Sequence, residues 1–211
     1  MKLLIVGTPR SGTTSLIRGI GNQGFFKYGE PFNPERKGFT GNYNDILNDL
    51  NTTKNIVVKC LCEQIPIDTK YYPIDPIDFY RQFAKKFDRV ILLDRSDMWK
   101  HKQSMVFLIW RLINKKSVHS RWTWDEIPNK FKKEEYPALK WEERLLKQKK
   151  DLIKLSDYID IPIIYYENLY SKDRVRSLNI IKSWDLPIDP YVLNEYLDPL
   201  YKLKQDKKTI I

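Results

Sequence analysis

The fold is decided by residues 3–14, which read LLIVGTPRSGTT. An apolar run that leads into a glycine turn is typical of a buried strand followed by a helix. Gly7 and Gly12 allow the backbone to turn tightly, so that its N–H groups can point at one anion. The residue after Gly12 is Thr13, where a nucleotide-hydrolysing loop has the Lys that reaches the β- and γ-phosphates. The stretch therefore predicts a site for a phosphate-like group and argues against hydrolysis of ATP or GTP.

Strand and helix patterns alternate along the remainder of the chain. The predicted strands cover 2–6, 25–28, 56–60, 89–93 and 161–165, and the predicted helices cover 13–20, 75–87, 97–114, 137–158 and 174–184. Strands separated by helices pair in parallel through right-handed crossovers. We therefore predict an α/β fold over residues 1–211, a single-domain three-layer sandwich with a central parallel sheet like that of P-loop NTPases. Residues 115–136 are less regular and are predicted to form a surface insertion or a lid over an acceptor site.

Composition narrows the class of protein. No apolar run approaches the roughly 18 residues of a membrane helix, and the N-terminus lacks the apolar stretch and cleavage site of a signal peptide. Cys60 and Cys62 are too close in sequence for an unstrained disulfide, so we expect two reduced thiols in a cytoplasmic protein that does not enter a membrane. Two cysteines without suitably spaced histidines predict no zinc site.

The formal net charge of +10 is compatible with an anionic ligand or a polyanionic partner. The lysines are scattered, except for groups such as Lys147, Lys149 and Lys150, which we interpret as the solvated face of the helix predicted over 137–158. The apolar residues of that helix include Leu145, Leu146, Leu152 and Ile153. No nucleic-acid-binding module is recognisable, so nucleic acid is not favoured as a partner.

The segment from Pro9 to Thr14 resembles the 5′-phosphosulfate loop of sulfotransferases that use 3′-phosphoadenosine 5′-phosphosulfate (PAPS) as donor. The chain looks closer to bacterial and tyrosylprotein-type members than to the cytosolic animal enzymes. The resemblance implies that the donor is bound by consecutive residues of the loop, namely Pro9, Arg10, Ser11, Gly12, Thr13, Thr14 and Ser15. It also implies that Arg10 stabilises charge on the transferred sulfuryl group.

The resemblance extends to the site for the 3′-phosphate of the donor. In the family an Arg follows the fourth strand and a Ser lies eight or nine residues later, as Arg95 and Ser104 do here. A guanidinium offers a two-pronged donor to a phosphate, and a hydroxyl adds one more hydrogen bond. A salt bridge from Arg95 to Asp94 or Asp97 is the structural alternative. Lys202 and Lys204 lie where relatives place a basic segment near this phosphate, although the animal Arg-Lys-Gly pattern is absent.

Catalytic candidates come from two further strand ends. Lys59 closes an apolar run, where the resemblance implies a Lys that donates to the bridging oxygen, or where it could simply extend to solvent. The His that some members carry two residues later is Leu61 in this chain. Glu30 precedes Pro31 at about the place where related enzymes have a catalytic carboxylate, and a carboxylate can act as general base. A solvated turn residue is the alternative for Glu30, and His119 is the rival base.

The resemblance implies in-line transfer of a sulfuryl group from PAPS to an acceptor hydroxyl or amine, without a metal, leaving 3′-phosphoadenosine 5′-phosphate (PAP). The acceptor class stays open between carbohydrate, tyrosine and a small alcohol. Two other functions are considered. A small P-loop kinase would use Asp94 as a magnesium ligand, but it should have Lys in place of Thr13. A catalytically inactive protein would keep the loop and bind anions or nucleic acid.

Overall fold

A five-stranded parallel sheet forms the centre of the protein. The computed structural model describes residues 1–33, 43–66, 75–113 and 138–198, with side chains omitted for 111–113 and 138–141. The strands are β1 Lys2–Gly7, β2 Phe26–Gly29, β3 Ile56–Leu61, β4 Arg89–Asp94 and β5 Ile163–Tyr165. They lie in the order β2-β3-β1-β4-β5, and every neighbouring pair is parallel. The predicted α/β class with a central parallel sheet is confirmed.

The helices surround this sheet. They are α1 Thr13–Gly21, α2 Tyr43–Thr52, α3 Pro76–Phe83, α4 Met98–Ile113, α5 Ala138–Ile159, α6 Tyr166–Leu169, α7 Arg174–Lys182 and α8 Pro190–Tyr196. A 3₁₀ turn over Ala84–Lys86 follows α3, so the helix predicted over 75–87 is shorter than expected. α2, α6 and α8 were absent from the prediction. Within the described ranges, no helix combines the length and apolar character needed to cross a membrane.

The strand order explains which helices cover which face of the sheet. The connection from β1 to β2 runs toward one edge, whereas the later connections run toward the other edge. A right-handed crossover that reverses its direction along the sheet places its helix on the opposite face. Accordingly, α1 packs on one face, and α2, α3 and α5 pack on the other. After β5 the chain returns to the first face, where α7 and α8 complete the layer that contains α1.

Alternation along β1 divides the core between the two faces. Leu3 and Ile5 pack against α1 and α8, whereas Leu4 and Val6 pack against α2 and α3. All four side chains are fully buried, as expected for a strand covered on both sides. On α5, only part of the predicted apolar set faces this core: Leu145 and Leu152 are buried, whereas Leu146 and Ile153 are exposed. The latter two occupy the next positions around the helix and therefore point away from the sheet.

Because all five strands are parallel, their carboxyl ends lie together at one end of the sheet. β1 and β3 are neighbours in the sheet, and the connections that leave them run in opposite directions, from β1 toward β2 and from β3 toward β4. This reversal is the topological switch point, the place at which open α/β sheets bind ligands. The loop of residues 8–12, between β1 and α1, lies at this point.

Candidate functional site

The loop of residues 8–12 is held in shape by its own hydrogen bonds. The amide of Thr8 donates to the carbonyl of Leu93 on β4 at 3.2 Å, and the hydroxyl of Ser11 donates to the carbonyl of Thr8 at 2.7 Å. Arg10 has a φ of 62° and Gly12 a φ of 91°, both in the left-handed region. This backbone costs about 1–2 kcal/mol for a non-glycine residue, so the surrounding contacts must stabilise Arg10 in this conformation.

The loop ends where α1 begins, and this helix start is uncapped. Gly12 occupies the cap position and provides no side chain that could accept hydrogen bonds from the first-turn amides. Thr13 and Thr14 therefore present N–H groups at the positive end of the helix dipole. An anion placed at this end would satisfy them. Thr13 is buried, whereas the side chain of Thr14 is exposed and that of Ser15 is half-buried.

Two tyrosines close one side of Gly12. The hydroxyl of Tyr170 donates to the carbonyl of Gly12 at 2.6 Å, and the rings of Tyr166 and Tyr170 are stacked with centroids 4.4 Å apart. A Cβ on Gly12 would lie 2.5 Å from the ring of Tyr170 and 2.9 Å from that of Tyr166. Glycine is therefore required at this position by both the positive φ and the close approach of the rings.

Asp94, at the end of β4, connects the loop to α5. One carboxylate oxygen accepts from the hydroxyl of Thr8 at 2.6 Å, and the other accepts from the ammonium of Lys149 at 2.7 Å. Lys149 also donates to the backbone carbonyl of Arg95. The interpretation of Lys149 as part of a solvated helix face is wrong, because its side chain is only 14% exposed. It lies four residues after Leu145 and three before Leu152, on the buried side of α5.

His101, on α4, supports the loop from another side. It is fully buried, and its Nε2 contacts the carbonyl of Pro9. Burial is the largest effect on its ionisation and lowers the pKa of His101 to about 4, so the ring is neutral at pH 7. Because a carbonyl only accepts, Nε2 carries the proton. Nδ1 is buried and has no hydrogen-bond partner among the described residues.

Glu30 and Lys59 form an ion pair at the ends of β2 and β3. The amide of Glu30 donates to the carbonyl of Lys59 at 2.6 Å, and its carboxylate also accepts from Asn33 at 2.8 Å and from Gln64 at 3.3 Å. The side chain of Lys59 is 3% exposed and that of Glu30 is 20% exposed. Glu30, like Arg10, adopts a positive φ, here 59°.

Opposing effects act on the ionisation of Glu30. Burial favours the neutral form, but the ammonium of Lys59 and the hydrogen bonds from Lys59, Asn33 and Gln64 outweigh it. The net result is a pKa of the Glu30 carboxyl below its ordinary value of 4.5. The group is therefore a carboxylate at neutral pH and can accept a proton.

The ion pair lies on the same side of the sheet as the start of α1. In β3, Ile56, Val58 and Cys60 face α2 and α3, whereas Val57 faces α1. Lys59 shares the α1 face with Val57, because alternate residues of a strand point to the same side. The loop, Glu30, Lys59 and Arg95 thus all lie at or near the carboxyl ends of the strands, the end at which parallel sheets generally bind ligands.

Arg95 and Ser104, the predicted 3′-phosphate pair, are engaged by different partners. The Nε of Arg95 donates to Glu167 at 3.4 Å, and its guanidinium lies 4.5 Å from the ring centroid of Tyr166. The hydroxyl of Ser104 accepts from the Nε of Arg10 at 3.0 Å. The acidic partner of Arg95 is therefore Glu167 rather than Asp94 or Asp97, and Ser104 adjoins the loop. Binding of a 3′-phosphate by this pair stays a prediction.

Other predicted residues lie outside the described part of the chain. These are His119, Lys202 and Lys204, together with the segment 115–136. Among the residues that are described, no group of three His, Cys, Asp or Glu side chains is arranged to hold a metal ion. Cys60 and Cys62 are buried free thiols.

Three residues that support the loop were not recognised from the sequence: His101 and Tyr170, which contact it, and Lys149, which contacts Asp94 behind it. Only Lys149 carried a local signal, namely its spacing from the buried leucines of α5. No family model, curated protein or solved structure matches this chain.

Proposed function

We propose that this protein is a PAPS-dependent sulfotransferase that transfers a sulfuryl group to an acceptor hydroxyl or amine. The observation that carries the proposal is the ion pair of Glu30 and Lys59 at the end of β3, the strand that pairs with β1, which leads into an uncapped phosphate-type loop. A carboxylate suited to take a proton and an ammonium suited to stabilise a leaving oxygen lie next to an anion site. These are the groups that in-line sulfuryl transfer requires.

The donor would bind with its phosphosulfate at the start of α1. The amides of Gly12, Thr13 and Thr14 would donate to its oxygens, and Arg10 would add a positive charge. Arg10 would then exchange its hydrogen bond to Ser104 for one to the donor. That exchange would leave the hydroxyl of Ser104 available to the 3′-phosphate, with Arg95 as the cationic partner.

In the reaction, Glu30 would remove the proton from the acceptor hydroxyl as its oxygen attacks sulfur. The bond from sulfur to the bridging oxygen would break, and its electron pair would go to the 5′-phosphate of PAP. Lys59 would donate a hydrogen bond to that oxygen as negative charge develops there. Because Lys59 holds Glu30 in the resting protein, its movement to the bridging oxygen would also make the carboxylate a stronger base.

The small-kinase alternative is less well supported. Thr13 stands where the kinase Lys is required, and Asp94 has a Thr8 hydroxyl on one oxygen and the Lys149 ammonium on the other. A magnesium ion at Asp94 would have to displace that ammonium. An inactive anion-binding protein would need the loop but would not need an ion pair at Glu30.

The proposal also covers the class of the acceptor and the cellular compartment of the reaction. Carbohydrate, tyrosine and a small alcohol are the acceptor classes to test. The buried free thiols Cys60 and Cys62 favour a reducing compartment, and we therefore assign the reaction to the cytoplasm.

The experiment that tests the proposal measures PAP formation from PAPS with panels of the three acceptor classes. The wild-type protein should release PAP together with a sulfated acceptor, and Glu30→Gln should reduce the rate by about 10²–10⁴-fold, as expected for loss of a general base. Equal rates in the two proteins would eliminate Glu30 as the base. No PAP release with any acceptor, in a protein that binds ATP with magnesium, would overturn the proposal.

A further inference from the structure

We infer that Lys149 is an internal counter-cation that neutralises Asp94 and makes the donor site independent of divalent metal. The inference rests on the proposed function, because it concerns the same anion site. Lys149 is a positioning residue in this account, since it acts through Asp94 and Arg95 rather than by touching the donor.

The contacts of Lys149 connect the two segments that would hold the donor. Through Asp94 it reaches the hydroxyl of Thr8, whose backbone carbonyl in turn holds the side chain of Ser11. Through the carbonyl of Arg95 it also fixes the segment that follows β4. One ammonium group therefore links the loop after β1 to the predicted 3′-phosphate residue.

The charges explain why this link matters for an anionic ligand. The side chain of Asp94 is 8% exposed and lies directly behind the loop. A buried carboxylate at this position would oppose binding of a multiply charged phosphosulfate, because Coulomb interactions are strong where water is excluded. Magnesium could neutralise such a carboxylate and bridge it to a phosphate. Lys149 supplies the positive charge from the protein itself.

The test is a calorimetric titration with PAP, in EDTA and again in excess magnesium, of four proteins. These are the wild type, the single variant Lys149→Gln, the single variant Lys147→Gln, and a double variant, Asp94→Asn with Lys149→Gln. The double variant removes both charges and is called the neutral pair. Lys147→Gln is a matched control, because Lys147 is an exposed residue of the same helix that pairs with Asp151. It changes the net charge equally without touching Asp94.

The wild type is expected to bind PAP equally well in both buffers. Lys149→Gln should bind at least about ten-fold more weakly in EDTA, and magnesium should restore part of the loss, because the charge of Asp94 is then uncompensated. The neutral pair should recover to within about three-fold of the wild type and ignore magnesium, since the two charges are coupled. Lys147→Gln should stay within about two-fold of the wild type, as surface ion pairs contribute little.

Three results would overturn the inference: wild-type affinity of Lys149→Gln in EDTA, a neutral pair as weak as Lys149→Gln, or loss of wild-type binding in EDTA. If Lys149→Gln does not fold, the PAP affinity of the neutral pair is compared with that of the wild type. Affinity within about three-fold and no response to magnesium would support the inference, and weaker binding would overturn it. If the wild type does not bind PAP, the proposed donor is wrong, and the series is repeated with inorganic pyrophosphate. The same pattern with pyrophosphate would support the inference, and no pyrophosphate binding would overturn it.

Discussion

Replacing Glu30 by Gln separates the catalytic contribution of the ion pair from its contribution to stability. Gln keeps the size of the side chain and an oxygen that can accept from Lys59, but it removes the negative charge. Lys59, at 3% exposure, would then keep its ammonium without a counter-charge. Removing one partner of a fully buried pair costs about 3–5 kcal/mol. Because Glu30 is 20% exposed and Gln still accepts a hydrogen bond, we expect a smaller loss of about 1–3 kcal/mol.

The expected loss corresponds to a fall in Tm of about 2–12 °C, since 1 kcal/mol shifts Tm by about 2–4 °C in domains of this size. The assay combines thermal unfolding with initial rates of PAP formation, which should fall by about 10²–10⁴-fold. Asp185→Asn is the matched control. Asp185 is also ion-paired, with Arg89, and also has a positive φ of 50°, but it lies far from the loop and is largely exposed.

Asp185→Asn should change Tm by less than the Glu30 variant and should leave the rate unchanged, because exposed ion pairs contribute about 0–1 kcal/mol. A Glu30→Gln protein with wild-type Tm would refute the idea that the carboxylate of Glu30 stabilises the fold by neutralising the buried ammonium of Lys59. A lowered Tm with a wild-type rate would refute the catalytic role while leaving the structural one.

Four further predictions concern the same site. Because the pKa of Glu30 is lowered in the folded protein, the carboxylate stabilises the fold above pH 4.5, and this contribution is lost as the pH falls through the folded-state pKa. The difference in free energy of unfolding between the wild type and Glu30→Gln should therefore become smaller as the pH is lowered. By the same reasoning, kcat/KM should not decline between about pH 7 and 5, whereas a decline centred near pH 6.5 would indicate His119 as the base. Gly12→Ala should abolish PAP binding in calorimetry and lower Tm, because its Cβ would lie 2.5 Å from the ring of Tyr170; normal binding would contradict the described loop. Tyr170→Phe should cost about 0.5–1.5 kcal/mol in chemical unfolding through loss of the hydrogen bond to Gly12, and no change would exclude that contact as stabilising.

Local signals allowed the centre of the fold to be predicted from the sequence. The apolar run of β1, the glycines of the loop and the β-branched residues of β3 are each recognisable within a few residues. α2 and α8 were missed for different reasons. α8 has a clear start signal in Asp189 and Pro190, but seven residues are too few for helical periodicity to be evident. α2 is polar on average and its apolar positions are few.

The partners of the loop and of Asp94 could not be predicted, because they are distant in sequence. Lys149 reaches Asp94 across 55 residues, and Tyr170 reaches Gly12 across 158. Only the crossovers of the sheet bring these residues together. His101 was equally ambiguous, since a single histidine on a helix does not reveal that its ring will meet the carbonyl of Pro9. Glu30 and Lys59 were recognised separately, but nothing in the sequence predicted that they would pair.

The measurement that tests the central claim most directly is calorimetric titration of the wild-type protein with PAP, with ATP and magnesium as the comparison and Arg10→Ala as the variant. We predict that PAP binds at least about ten-fold more tightly than ATP with magnesium, and that Arg10→Ala weakens PAP binding by about ten-fold or more, the loss expected for a charge-assisted contact to phosphate. Equal or tighter binding of ATP with magnesium would contradict the assignment of this site to a 3′-phosphonucleotide donor.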